Sequence, residues 1–440
     1  MVSLTKKFSE FVYNAKVEDF NEEMIFFTRM SMLDWAGVAY AGRKEPVSQI
    51  VTKLVEDESS QGNVRIISNG ISLSSKSAAL VNGTIGHALD YDDTHFLFTG
   101  HPTASAFPTA LAIGEELNST VDELILAYMC GVEVSTRLGH ILGYSHYNKG
   151  FHQTATSGAF GATVVASKLL KLNLDQIENA FGIVSTRASG LKSQFGTMGK
   201  PFHAGIAASN GIEAAKLAKL GFISCEDGIE CSQGFLNTHG WNEKYPDEAL
   251  EGLGNNYLFP EIKYKFHACC HGLHAFLEAL DELKIKNNFN PESIEKISIE
   301  TQPSWLKVCN IESPKTGLES KFSYKLTAAM SLHGIDTARL DSYNDEMCFD
   351  ENLTKTRDKV EVIANENLSN TEALIKIKDD TNVFENKHNL SDKIENEIIK
   401  KKIKAKSSSL LSENVSNKLS SILENPKKFT AKDILNLLII

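Results

Sequence analysis

The sequence predicts a mainly α-helical protein, a large multihelical body interrupted by a smaller α+β insert. Two changes of hydrophobic period predict it. From about residue 20 to 285 apolar residues recur at helical spacing; after residue 290 they alternate with polar ones. Beyond about residue 390 the helical spacing returns, so the body draws on both ends of the chain. The expected organisation is a helical domain in two parts, residues 1–262 and 393–440, around an α+β domain at 263–392.

Met24 to Ala41 carries Met24, Phe27, Met30, Met32, Leu33, Trp35, Ala36 and Val38, apolar on too many sides for a surface helix. Thr120 with Glu123 forms a reciprocal N-terminal cap for a helix through Ala127, Val132 and Val134, where Glu133 and Arg137 stand four apart. Asn173 with Gln176 opens another through Ile177, Ala180, Phe181 and Val184. Small residues crowd Ser157–Ser167 and Ala204–Ala218, which reads as close helix packing. In the insert, Ile294, Ile297 and Ile299, then Lys359–Ile363 and Ala373–Ile377, alternate like half-buried strands. The lysine-rich run Lys400–Lys406 reads as a solvated helix face, and a closing helix runs through Leu419, Ile422 and Leu423.

Composition narrows the function. Lys and Arg number 45 against 56 Asp and Glu, a net charge of −11, so neither nucleic acid nor an anionic lipid surface is an expected partner. No run approaches the roughly 18–20 apolar residues that span a bilayer, and the charged, amphipathic opening has no apolar signal core. Seven cysteines without framework spacing read as reduced thiols, and the expected location is cytoplasmic. An anionic ligand must then meet a local cluster of Lys, His and backbone N–H groups.

Five segments concentrate polar chemistry. His87–Ser105 gathers Asp90, Asp92 and Asp93 beside Thr94, His95 and His101. Carboxylates so close hold a cation, join a hydrogen-bond network or act as acid and base. Asp92, Asp93 and His95 are the ligands of the metal-dependent alternative. The Asp90, Asp92, Asp93 string also matches the acid motif of helical terpene cyclases, but 8% aromatic residues do not promise the lining such a cavity needs. Gly150–Gly158 places His152 at a helix start. Gln194–Gly205 is a tight turn before a helix, with Lys200 at its mouth; Pro201 after Gly199–Lys200 rules out a phosphate loop and leaves a carboxylate-binding corner. Lys263–Ala275 offers Lys263, Lys265, His267, His271 and His274, with no carboxylate placed for a zincin motif. Lys321–Gly334 adds the hydroxyls of Ser323 and Tyr324.

In this order and spacing, NGTIGHALDYDDTH…GHP, GFHQTATSGAFGA, GKPFHAGIAASNGIEAAKLAKLGF, KFHACCHGLHA and KFSYKLTAAMSLHG resemble the MmgE/PrpD family, over about residues 20–335. That family includes 2-methylcitrate dehydratases, cis-aconitate decarboxylases and iminodisuccinate epimerases. The resemblance implies a large helical domain built from both chain ends, a smaller α+β lid and a homodimer. Carried over by position, it implies active-site roles for Asp90, Thr94, His101, His152 and Lys200. His271 is the further catalytic candidate from the KFHACCH stretch, with Lys263, Lys265, His267 and Ser323 as substrate-binding candidates. Two departures argue against assuming decarboxylation: the Thr94–His101 span is one residue longer than in the decarboxylases, and Leu326 stands where they carry Tyr.

The expected function is a lyase or isomerase needing no cofactor and no metal, acting on a small di- or tricarboxylate by proton abstraction next to a carboxylate. The charge that builds there is met by preorganised donors, Lys200, His152 and the Lys/His cluster near residue 265. Asp90, His101 or His152 is the base, and Asp90 would need Asp92 and Asp93 as like-charge neighbours to raise its carboxyl. A metal-dependent hydrolase and a non-catalytic carboxylate-binding protein are the alternatives.

Overall fold

The computed structural model describes residues 3–58, 60–240 and 249–439. It divides into two compact units, Met1–Tyr264 with Ile403–Ile440, and Lys265–Lys402. The protein is mainly helical, with small sheets, as the periodicity predicts. Among the described residues no helix is long and apolar enough to cross a membrane.

The first unit holds α1 (Leu4–Asn14), α2 (Glu22–Gly42), α3 (Pro46–Asp57), α4 (Ser75–His87), α5 (Thr103–Leu117), α6 (Val121–Asn148), α7 (Thr156–Leu169), α8 (Leu174–Ser185) and α9 (Gly199–Lys219). Helices Glu413–Glu424 and Ala431–Leu438 complete it, with Asn396–Leu411 from Ile403 onward. Both caps read from the sequence are present: Thr120 Oγ1 accepts from Glu123 N–H at 3.3 Å, and Asn173 Oδ1 from Gln176 N–H at 2.9 Å. The small residues serve packing. A Cβ on Gly205 of α9 would stand 2.2 Å from the Leu80 carbonyl oxygen of α4, and one on Gly211 would stand 2.5 Å from Ala162 Cβ of α7. Only residues without a side chain let α9 lie this close to both neighbours.

Glu133 and Arg137 are fully buried, 2.7 Å apart. Arg137 also donates to the carbonyls of Ala249 and Glu251, and Glu133 accepts from Leu258 and Phe259 N–H, so one buried pair holds the whole 249–259 loop.

The second unit carries a four-stranded sheet in the order Val360–Ala364, Ile294–Thr301, Glu372–Asp379, Val383–Asn389. The first pair is parallel and the others antiparallel. Helix His274–Lys286 packs on the last two strands. The fourth strand, VFENKHN, has no apolar alternation because it is an edge strand with neither face fully covered.

The lysine run departs from expectation at its end. Lys406 is 3% exposed, its Nζ 2.7 Å from Asp34 Oδ1 and donating to the Tyr91 carbonyl at 2.6 Å. Its neighbours Ile403 and Ser407 are buried too. A lysine within a lysine-rich helix reads as solvated, and its buried partner lies some 370 positions away in sequence, where no local pattern shows it.

Candidate active site

Helix α4 ends at His87, and the chain leaves it through Asp90, whose φ of 49° puts it in the left-handed region that aspartate tolerates better than most residues. This turn delivers three successive polar positions to one place. His87 Nδ1 lies 2.8 and 3.0 Å from the two Asp92 oxygens, and both side chains are buried. The chain then folds back through a turn closed by His95 and Gly100, with Thr99 in the left-handed region, and returns His101 to the same spot. His101 Nδ1 stands 3.3 Å from Asp92 Oδ2, and its Nε2 3.3 Å from Asp90 Oδ1. The turn thus brings His101 within 3.3 Å of both carboxylates.

Lys200 arrives from the first turn of α9, its Nζ 2.6 Å from Asp90 Oδ1. Asp90 keeps 42% of its side chain exposed, which leaves a carboxylate–ammonium pair at the open side of the cluster. His152, from the loop before α7, lies across the histidine group: its ring is 6.1 Å from that of His87, and its Nδ1 is 3.0 Å from His203 Nδ1. Its own N–H donates to the Gly190 carbonyl, which fixes the loop. Thr94 and Lys263 pair with each other through two 2.7 Å backbone bonds.

The charge states follow from burial and neighbours. Burial pushes the Asp92 carboxyl up, but the charges of His87 and His101 and the hydrogen bond from His87 outweigh it and hold it well below the usual carboxylate range. Burial lowers the His101 imidazole to about 4 despite Asp92, and lowers His152 well below its usual range, with Lys200 adding to the effect. Near pH 7 the site therefore holds an ionised Asp92 and neutral His101 and His152. Asp92, an acceptor only, takes Nδ1–H of His87 at 2.8 Å, whereas His101 Nδ1 stands 3.3 Å from Asp92 Oδ2 without a hydrogen bond. His87 Nε2 is buried without a hydrogen-bond partner.

The metal alternative is not assembled as the sequence suggested. Asp93 Oδ2 accepts from Thr103 Oγ1, which also meets the Tyr128 hydroxyl at 2.6 Å. His95 uses Nε2 on the Leu258 carbonyl, 2.8 Å away, and its Nδ1 accepts from Phe98 N–H at 3.4 Å. Among the described residues, the ligand-type group at this place is His87, Asp90, Asp92 and His101, within 4.8 Å of one another. Burial, with Asp34 and Asp92 nearby, raises Asp93 to about 8, partly offset by the Thr103 hydroxyl.

A family model for the MmgE/PrpD N-terminal domain matches residues 6–246, and one for the C-terminal domain matches 267–425. The chain belongs to the MmgE/PrpD enzyme family. It is 28% identical over 373 residues to a cis-aconitate decarboxylase of Aspergillus terreus, covering 80% of this chain and 75% of that one. It is 30% identical over 239 residues to the cis-aconitate decarboxylase of Homo sapiens, covering 53% and 50%, and 30% over 260 residues to that of Mus musculus, covering 58% and 52%.

The remaining candidates of this MmgE/PrpD chain belong to its second unit. His267 is buried, its Nδ1 2.7 Å from Thr337 Oγ1 and its Nε2 3.5 Å from Glu278 Oε1. Lys402 closes on Glu278 at 2.6 Å; burial pushes that carboxyl up, but His267 and Lys402 prevail and hold it at about 2. His271 stacks on His274 with ring centroids 5.1 Å apart, and Lys265 is 2% exposed. Ser323 is a buried N-cap whose Oγ accepts from Leu326 N–H, and Tyr324 donates to the Gly272 carbonyl at 2.7 Å. Two residues of the first site were missed by sequence reasoning. His203 lay in the quoted Gln194–Gly205 string, one helical turn after Lys200, and that i,i+3 spacing was the available signal. His87 carried none beyond its nearness to Asp92.

Proposed function

We propose that this chain is a cofactor-independent lyase or isomerase that removes a proton next to a carboxylate of a small di- or tricarboxylate. The observation that carries the reading is a neutral His101 within 3.3 Å of both Asp90 and the ionised Asp92, beside the Lys200–Asp90 pair. His101 is the base: neutral in the resting site, it takes the proton, and Asp92, 3.3 Å from its Nδ1, stabilises the imidazolium that forms. Lys200 meets the substrate carboxylate, on which negative charge grows in the transition state, and Asp90 holds the ammonium in place. The imidazolium formed on His101 returns the proton, to the leaving hydroxide or to carbon, while the neutral His152 close by donates a hydrogen bond to the substrate. Thr94 and Lys263, and Lys265, His267, His271 and Ser323 of the second unit, stay in the proposal as binding and catalytic candidates on the strength of the motifs, as do the cytoplasmic location and the homodimer.

Decarboxylation is a second reading, favoured by the names of the relatives. Loss of CO₂ leaves the C–C electron pair on carbon, and the Lys200 ammonium beside the neutral histidines can supply the proton that carbon then takes. A proton NMR time course in D₂O, against citrate, 2-methylcitrate, cis-aconitate and iminodisuccinate, separates the two. Deuterium entering the substrate, or conversion with all carbon retained, supports elimination or epimerisation; a product one carboxylate shorter supports decarboxylation. Lys200→Ala and Asp90→Asn are expected to slow the reaction by roughly 10²-fold or more. Unchanged rates in both variants would remove the assignment.

A further inference from the structure

Far along the chain from the histidine cluster, the loop between α9 and helix Phe235–His239 folds back on itself and brings Cys225, Asp227 and Cys231 together. One ligand atom from each lies within 4.8 Å of the other two, and Cys225 Sγ is 3.1 Å from Asp227 Oδ1. Cys225 is exposed and Cys231 half-buried, so the group opens to solvent. We propose that this loop is a binding site for a soft divalent metal ion of the zinc class, held by the two thiolates and the Asp227 carboxylate.

The loop is built to hold its shape without the ion. Gly234 turns the chain where a Cβ would strike the Gly228 carbonyl oxygen at 2.8 Å and the Cys231 backbone at 3.0 Å. Cys231 N–H donates to the Asp227 carbonyl at 2.9 Å, and Gly234 N–H to the Cys231 carbonyl at 2.8 Å. Both flanks are anchored. Ser224 N–H and Oγ–H donate to Asn179 of α8 at 2.7 Å, and the buried Glu230 accepts from Thr5 Oγ1 at the start of α1 at 2.6 Å. The three side chains therefore project from a fixed backbone.

Chemistry selects the ion. Two thiolates and a carboxylate suit a borderline-soft cation of tetrahedral preference, and hard ions such as Mg²⁺ or Ca²⁺ would want oxygen alone. Ligand atoms around tetrahedral zinc stand about 3.6 to 3.8 Å apart. Cys225 Sγ and Asp227 Oδ1, now 3.1 Å apart, would open slightly and Cys231 Sγ would swing in, both by side-chain rotation at the loop surface. Binding replaces two thiol protons with one ion: two Cys–SH and one carboxylate become a complex of net charge −1, with two protons released. Three protein ligands leave the fourth position to water.

The test uses the full, reduced, metal-free chain titrated with Co²⁺, read by thiolate-to-cobalt absorption in the near ultraviolet. One equivalent is expected to saturate the band, and Zn²⁺ to bleach it mole for mole. Cys225→Ser and Cys231→Ser, at a solvent-facing loop, are each expected to lower affinity at least about 100-fold, with the helical circular dichroism unchanged. Asp227→Asn is expected to weaken binding about 10-fold and keep the sulfur band. The histidine–aspartate cluster holds no thiolate, so an ion there is silent in this band. No band in the wild-type chain overturns the proposal, as does a band that survives both serine variants. Ready conversion of the pair to a disulfide by oxidised glutathione, with no metal uptake by the reduced chain, overturns it equally.

Discussion

Asp92 and Asp93 adjoin in sequence and are both fully buried, yet the same desolvation leaves them in opposite charge states. Two imidazoles around Asp92 outweigh the cost of its charge, whereas Asp93 faces hydroxyls and other carboxylates. Asp92→Asn should therefore remove the charge that stabilises His101 once it takes a proton. The expected result is a fall in kcat of roughly 10²- to 10³-fold with KM little changed, checked by steady-state kinetics on whichever acid proves to be the substrate. Because burial holds His101 near 4, the acid limb of kcat/KM should fall near pH 4 rather than near pH 6.5. Asp93 has the opposite linkage. Its folded carboxyl, raised to about 8, keeps a proton that the unfolded chain releases near its ordinary value of 3.8, so stability from this group is lost as pH rises between the two. Asp93→Asn retains an acceptor for Thr103 and should flatten that slope. Melting temperatures of variant and wild type at pH 5 and pH 8 check it, with the variant gaining more at pH 8.

At the level of elements, α4 and α9 carry the site between them, His87 at the end of one and Lys200 in the first turn of the other. Their approach rests on Gly205, so Gly205→Ala should force the helices apart. The expected cost is about 1 to 3 kcal/mol in urea unfolding, together with a loss of activity, because the Lys200–Asp90 distance depends on the same contact. Elements were the most legible part of the sequence. Helix starts announced themselves through side chains three residues apart, and three strands through alternating isoleucines and valines. Strand Val383–Asn389 was not legible, since an edge strand needs no apolar face to hold its place. The pairing of His152 with His203 was hidden for another reason: it joins positions 51 apart, and periodicity speaks only for neighbours.

Across the whole molecule, the Lys406–Asp34 contact ties the last stretch of chain to α2 inside the first unit. Lys406→Met should leave Asp34 without its cation and cost about 3 to 5 kcal/mol, whereas Asp34→Leu with Lys406→Met should recover most of that. Chemical denaturation of the single and double variants measures the difference; equal destabilisation in both would mean that packing, not charge, is what Lys406 supplies. This contact was illegible in the lysine run, where five of seven residues are lysines that read as a solvated face.

The first unit is discontinuous, and that has a temporal consequence. During synthesis, Asp34 and the groove for the closing helices exist well before Lys406 does. At elongation rates of about 5 to 20 residues per second, the second unit's residues emerge over roughly ten to thirty seconds in between. Through that interval the nascent helical body lacks the Lys406 contact to its buried Asp34, while the second unit, contiguous in sequence, already has every residue it needs to fold. The part begun first is therefore completed last, and a chaperone that shields apolar helix faces would find its substrate in the half-made body.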